Sequence, residues 1–197
     1  MVTLALVLLV AGCGSAEPKY YTLTPWPGTP QGGGPLTVEV ETPVVADYLN
    51  RDDIVLDNRG YQLHLARNAA WAEPLPGAIG SNLALDLSQR LPGSNVYAAN
   101  GGISSTAEAV VAVNVSRFAE DDAGRAEITA MVSVHRPHGP IPNIRPLHVV
   151  TPLNDRTMGA LVALLSQLLG QVADEVAIDL RALGPTQPGT ARAGRAS

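Results

Sequence analysis

Hydrophobic and polar positions along the chain follow two periods, and the points where one gives way to the other divide it into elements. "KYYTLT" (19–24) alternates and is rich in β-formers; in "PLTVEVET" (35–42), Leu36, Val38 and Val40 oppose Thr37, Glu39 and Glu41. Both predict strands. Between them, "GTPQGGGP" (28–35) predicts a loop, because glycine loses much entropy on ordering and proline lacks a donor. "DIVLDNRGYQLHLA" (53–66) reads as a β-hairpin turning at Asn58, Arg59 and Gly60. After Pro74 and Pro76, Ile79, Leu83 and Leu87 recur every four residues, while Ser81, Asn82, Asp86 and Gln89 fall elsewhere on the wheel. That spacing predicts an amphipathic helix with a polar side, closed by Pro92 and Gly93.

"SNVYAA" (94–99) follows as a short strand, and residues 108–118 and 126–135 flank the polar "AEDDAG" as a long second hairpin. "RPLHVVT" (145–151) adds a strand. From Arg156 to Ala182 the period is strongest: Met158, Leu161, Leu165, Leu168, Val172 and Val176 make one stripe, with Gln167, Gln171, Asp174 and Glu175 off it. This predicts a long helix packed on a sheet. The order strands, helix, strands, helix predicts an α/β fold, a two-layer sandwich with a mixed, mostly antiparallel sheet and two main helices. Residues 1–12 read as a signal peptide and 13–35 as a lipidated N-terminus with the first strand and the Gly/Pro-rich loop. Residues 36–184 form the remainder of a single domain, and 185–197, "PTQPGTARAGRAS", a disordered tail with nothing to bury.

The composition narrows the chemistry. With 46% hydrophobic and 4% aromatic residues, 19 glycines and 16 prolines, the chain describes a domain with many turns. Its net charge is -5 and its thirteen Lys and Arg are scattered, so no stripe exists to neutralise a phosphate backbone and nucleic acid is excluded as a partner. The lone cysteine, Cys13, excludes an internal disulfide and zinc sites that need two thiolates. It lies directly behind "VTLALVLLVA" (2–11), about ten residues where about twenty are needed to cross a bilayer as a helix. The run fits the hydrophobic region of a secretory signal, and Val10, Ala11, Gly12 and Cys13 resemble a bacterial lipobox. Cys13 would then carry diacylglycerol on sulfur and an acyl chain on the new amino terminus, and several chains together give stable anchoring. An ordinary secretory signal and a buried strand with an incidental cysteine are the alternatives. Gly14 stands where inner-membrane lipoproteins resemble one another in having Asp, which favours the outer membrane.

No catalytic set emerges. His135 and His138 in "HRPHGP" have metal-like spacing, but Pro137 opposes a helical presentation and no thiolate or close carboxylate completes a site. His64 and His148 read as polar-face strand residues. There is no G-x-S-x-G elbow. "GTPQGGGP" lacks the Lys and Ser/Thr of a phosphate loop. Asp52 with Asp53, and Asp121 with Asp122, lie in turn-like sequence and read as solvated bends. No metal, catalytic residue or cofactor beyond the covalent lipid is expected.

With anchor and element order in hand, the chain resembles the auxiliary lipoproteins of ABC-type transport systems, the PqiC-like subunits of MCE-type lipid transport. "YYTLTP" (20–25) resembles the family's opening strand, "VADYLNRDDIVL" (45–56) its central motif, and "WAEPL" (71–75) its second hallmark. Asp52, Asp53 and Asp57 depart from the family's usual Pro, Gln and Arg. The resemblance implies a palmitate-bearing lipoprotein on the periplasmic face of the envelope, supporting membrane integrity without catalysis. Its partners would be an MCE-domain protein with a permease and ATPase, and a homo-oligomer is a further expectation. Partner contact is assigned to Tyr48, Arg51 and Trp71, against the plainer readings that Trp71 packs at the entry of the first helix and Arg51 pairs Asp53. The alternative function is a stand-alone lipid- or glycolipid-binding lipoprotein of outer-membrane assembly.

Overall fold

The computed structural model describes residues 17–57, 61–100, 102, 105–140 and 144–186; Cys13, the turn at Asn58–Gly60 and residues 187–197 lie outside them. Eleven elements follow in order: β1 (Lys19–Tyr21), β2 (Thr37–Val40), β3 (Val44–Val45), β4 (Asp53–Asp57), β5 (His64–Trp71), α1 (Leu75–Arg90), β6 (Asn95–Ala98), β7 (Ala109–Glu120), β8 (Arg125–His135), β9 (Ile144–Pro152) and α2 (Met158–Leu183). The expected α/β fold with two helices and mostly antiparallel strands is present. The strands divide into two sheets, a large one ordered β6-β2-β7-β8-β9 with β3 also on β7, and a small one ordered β1-β5-β4.

The large sheet rests on the β7–β8 hairpin. Val111, Val113 and Val115 are buried while Asn114 and Ser116, on the opposite face, are exposed, so one face is dry and one wet. Gly124, at φ 78°, closes the turn, with its N–H donating to Asp121 O at 3.0 Å. Both helices pack on the dry face and on each other. α2 is long and apolar enough to cross a bilayer by length and composition. Here its stripe of Leu161, Leu165, Leu168, Val172 and Val176 is buried against the sheet and α1. Truncating Leu165, which has no exposed surface, to Ala would cost about 2–5 kcal/mol.

Both ends of α2 are satisfied. The Thr157 Oγ1 accepts from Ala160 N at 3.3 Å. At the other end Gly184 N donates to Leu180 O at 3.1 Å, and the Arg136 guanidinium donates to the carbonyls of Leu183 and Gly184 at 3.0 and 3.1 Å. Arg145 of β9 bridges to Glu175 (2.9 Å) and Asp179 (2.8 Å) on the outer side of the helix.

Trp71 ends β5, four residues before α1: its N–H donates to Asp52 O at 2.8 Å and its ring packs in the core on Phe118 at a centroid distance of 6.3 Å. Three expectations change in the structure. The strand of "KYYTLT" stops at Tyr21, and the chain then leaves the sheet to cross the helices. Asn82 and Asp86, expected on a polar helix side, are 6% and 0% exposed, because α1 is covered by that crossing segment and by α2. Asp121 lies in the expected turn but is 7% exposed and paired with Arg125 at 2.6 Å, so it is no solvated bend.

Candidate functional site

The small sheet turns one face outward, and the register sets Tyr20 of β1, Ala70 of β5 and Asp53 of β4 in one row across it. Ala70 is small, so the row forms a trough between an exposed tyrosine ring and a carboxylate. It widens into a groove of about 630 Å³ that Asp52 and Glu73 also line, with Trp71 at its floor. Asn68, at φ 56°, breaks the regular β4–β5 pairing beside it. Arg51 stands next to the groove with its Nε 3.9 Å from Asp53 Oδ2, both side chains well exposed. That is a loose surface pair of little stabilising value.

The structure therefore brings Arg51 and Trp71 to one place and sets Tyr48 in another. Trp71 is buried, so it shapes the groove from behind. Tyr48 reaches over the wet face of the large sheet, where β7 carries an extra residue at Ser116 between the pairs Val115–Ala130 and Arg117–Thr129. The Tyr48 hydroxyl donates to the Ser116 carbonyl at 2.7 Å, so it serves the acceptor at the irregularity. Burial raises the Tyr48 pKa, Arg117 opposes the rise and Glu127 adds to it. Beside it Glu127 forms an ion pair with Arg117 at 2.7 Å and has the His148 Nε2 at 3.1 Å. Farther along the same face Val44, Met131 and Ile144 are exposed around an apolar depression of about 370 Å³. Among the described residues no three His, Cys, Asp or Glu side chains converge as a metal site.

Sequence reasoning missed a buried and heavily bonded charged group. Arg90, 1% exposed, sits where α1, α2 and the crossing segment meet. Its Nε donates to Asp174 Oδ1 at 2.6 Å, its Nη1 to the carbonyls of Trp26 (3.1 Å) and Asp86 (3.0 Å), and its Nη2 to Gly170 O at 2.9 Å. One turn back, Asp86 Oδ1 accepts from Trp26 N at 2.7 Å while its Oδ2 is buried with no hydrogen-bond partner. Burial pushes the Asp86 pKa from 3.8 up to about 6, against the Trp26 hydrogen bond and Arg90, with Asp174 adding to the rise. Asp86 and Arg90 thus grip both backbone groups of Trp26. The legible signal was Arg90 itself, a charge three residues after Leu87 on the apolar stripe of α1.

Residues 21–177 match the family model described as the ABC-type transport auxiliary lipoprotein component. Two crystal structures share the fold. One, of an uncharacterized protein, has a TM-score of 0.68 at 23% identity over 83% of this chain and 98% of its own. The other, protein XCC0632 from Xanthomonas campestris, of the DUF330 family, has a TM-score of 0.67 at 21% identity over 82% of this chain and 94% of its own. No curated protein sequence matches the chain.

Proposed function

The chain belongs to the family of ABC-type transport auxiliary lipoproteins, and from that premise we propose that it is a lipid-anchored docking subunit of an MCE-type phospholipid transport system. Family membership implies an envelope location and association with a transporter. In this reading the anchor is the diacylglycerol and acyl group on Cys13, held in the outer membrane, and the domain faces the periplasm. The partner is the MCE-domain protein with its permease and ATPase, and the work is positional rather than catalytic.

The observation that carries the reading is the family match itself, which starts at residue 21, close behind the lipobox cysteine. Six residues from Cys13 to Lys19 span at most about 20 Å fully extended. An anchor on Cys13 would therefore keep β1 and the groove beside it near the bilayer surface. Arg51, tied only loosely to Asp53, can exchange that carboxylate for one on a partner. Trp71 would act by supporting the groove floor, and Tyr48 by shaping the wet sheet face.

Two measurements test the reading. Cys13→Ser should leave a folded protein that moves from the membrane to the soluble fraction, since each buried CH2 of an acyl chain contributes about 0.8 kcal/mol. Unchanged membrane retention would refute the anchor. Affinity purification of the tagged wild type from its own envelope should recover an MCE-domain protein, and repeated recovery of none would refute the partner.

A further inference from the structure

Between Leu23 and Pro35, both buried, the chain runs as a strap across the helical layer, with residues 24–27 and 29–33 exposed. Apart from the Trp26 side chain, 38% exposed and seated on Gly170, the segment contributes little apolar burial, the main source of local stability. Polar bonds hold its backbone. Thr24 N donates to Ser166 Oγ at 3.2 Å, Trp26 N to Asp86 Oδ1 at 2.7 Å and Gln31 N to Arg90 O at 2.9 Å, while Arg90 Nη1 donates to Trp26 O at 3.1 Å. The fit is close: a Cβ added at Gly28 would lie 2.3 Å from the Arg90 guanidinium carbon. Residues 24–34, "TPWPGTPQGGG", carry no charged side chain. The charges that act on Asp86 are Arg90 of its own helix and Asp174 of α2; the strap contributes the Trp26 N–H.

We propose that residues 24–34 form a proton-gated latch, which opens as a local unit while the domain stays folded, and which closes more tightly when Asp86 carries a proton. The inference concerns the domain itself and does not require the anchor. With the strap down, Asp86 is buried with an unpartnered oxygen, a placement that favours the neutral acid. With the strap up, water reaches the carboxylate and its pKa returns toward the ordinary value. The closed state therefore binds the proton more tightly, and opening becomes easier as pH rises through about 6. Between pH 5 and pH 7.5 the opening constant should rise about tenfold. Opening uncovers Arg90 and Gly170 in the cleft between α1 and α2.

The test is hydrogen exchange on the full-length protein in detergent, with protection factors corrected for the intrinsic rate at each pH. The amides of Thr24, Trp26 and Gln31 should be less protected than those of α1 and β7, and their opening should rise about tenfold from pH 5 to 7.5. Asp86→Asn keeps an acceptor for Trp26 N but does not titrate, so the pH effect should vanish. Trp26→Ala keeps the backbone bonds and loses the ring, so opening should increase at both pH values with the pH ratio retained. Strap amides exchanging only together with the core would overturn the proposal. So would an unchanged pH ratio in Asp86→Asn, or, should that variant not fold, a ratio near one in Trp26→Ala.

Discussion

Gly170→Ala sets two effects against each other. In the interior of a helix, alanine is favoured over glycine by about 0.5–1 kcal/mol, so propensity alone predicts stabilisation. At this position, however, an added Cβ would lie 2.6 Å from Trp26 Cβ and 2.9 Å from its Cδ1, where carbon atoms normally rest about 3.5–4.0 Å apart. Relief requires moving the Trp26 backbone, which Asp86 and Arg90 hold from both sides. Overpacking of this kind costs about 1–3 kcal/mol and should win, leaving a net loss of about 1 kcal/mol. The loss cannot exceed the free energy that holds the strap down, since lifting the strap removes the clash. Gly159→Ala is the control on the same helix, because a Cβ there meets nothing within 4 Å. Urea unfolding of both variants, followed by circular dichroism, decides the matter: Gly170→Ala should unfold at lower urea than wild type and Gly159→Ala should not. Adding Trp26→Gly to Gly170→Ala should recover part of the loss, a non-additivity expected of touching residues. Equal or greater stability of Gly170→Ala relative to wild type would refute the close approach of strap and helix.

Three further outcomes follow from the same contacts. Arg90→Met should destabilise by about 3 kcal/mol in chemical unfolding near pH 8, and by less near pH 5, because the carbonyls of Trp26, Asp86 and Gly170 lose their donor and the charge that opposes the rise in the Asp86 pKa is gone, a loss that a proton on Asp86 offsets. Tyr48→Phe should cost about 1 kcal/mol, measured by the urea midpoint, because the Ser116 carbonyl loses its donor. At Asp121, burial acts to raise the pKa, but hydrogen bonds from the Arg125 side chain and from the Arg125 and Ala123 N–H groups outweigh it and lower the pKa. A depressed carboxylate contributes stability above its unfolded pKa and loses it as pH falls through the folded value. Asp121→Asn should therefore be less stable than wild type at pH 7, with the difference shrinking on acid titration.

Elements with one wet face were legible because alternation reports burial directly. The β7–β8 hairpin is the clearest case, with valines inward and Asn114 and Ser116 outward. The end of β5 was not legible: "AAW" is buried throughout, so it shows no period. β3 has two residues and pairs in parallel with β7, too short for any pattern. Nor does sequence spacing encode the parallel pairing of β1 with β5 or of β2 with β6 and β7. Asp86 misled for a different reason. Polarity predicts exposure only where nothing crosses the helix, and here a glycine- and proline-rich segment, correctly read as a loop, crosses it. Of the candidate residues, the loose pairing of Arg51 with Asp53 was anticipated, whereas the hydroxyl of Tyr48 answers a strand irregularity that no local motif announces.

The crossing segment also sets an order of assembly. Residues near the start of the chain are seated on Asp86 and Arg90 of the first helix and on Ser166 of the last, and β1 finds its neighbour fifty residues downstream at 69–71. Contacts this distant in sequence form late and slowly, because the intervening chain must be closed first. The strap and β1 are thus among the last parts of the domain to find their places. The helical layer stays uncovered there until α2 has joined α1 and brought Ser166 and Gly170 into position.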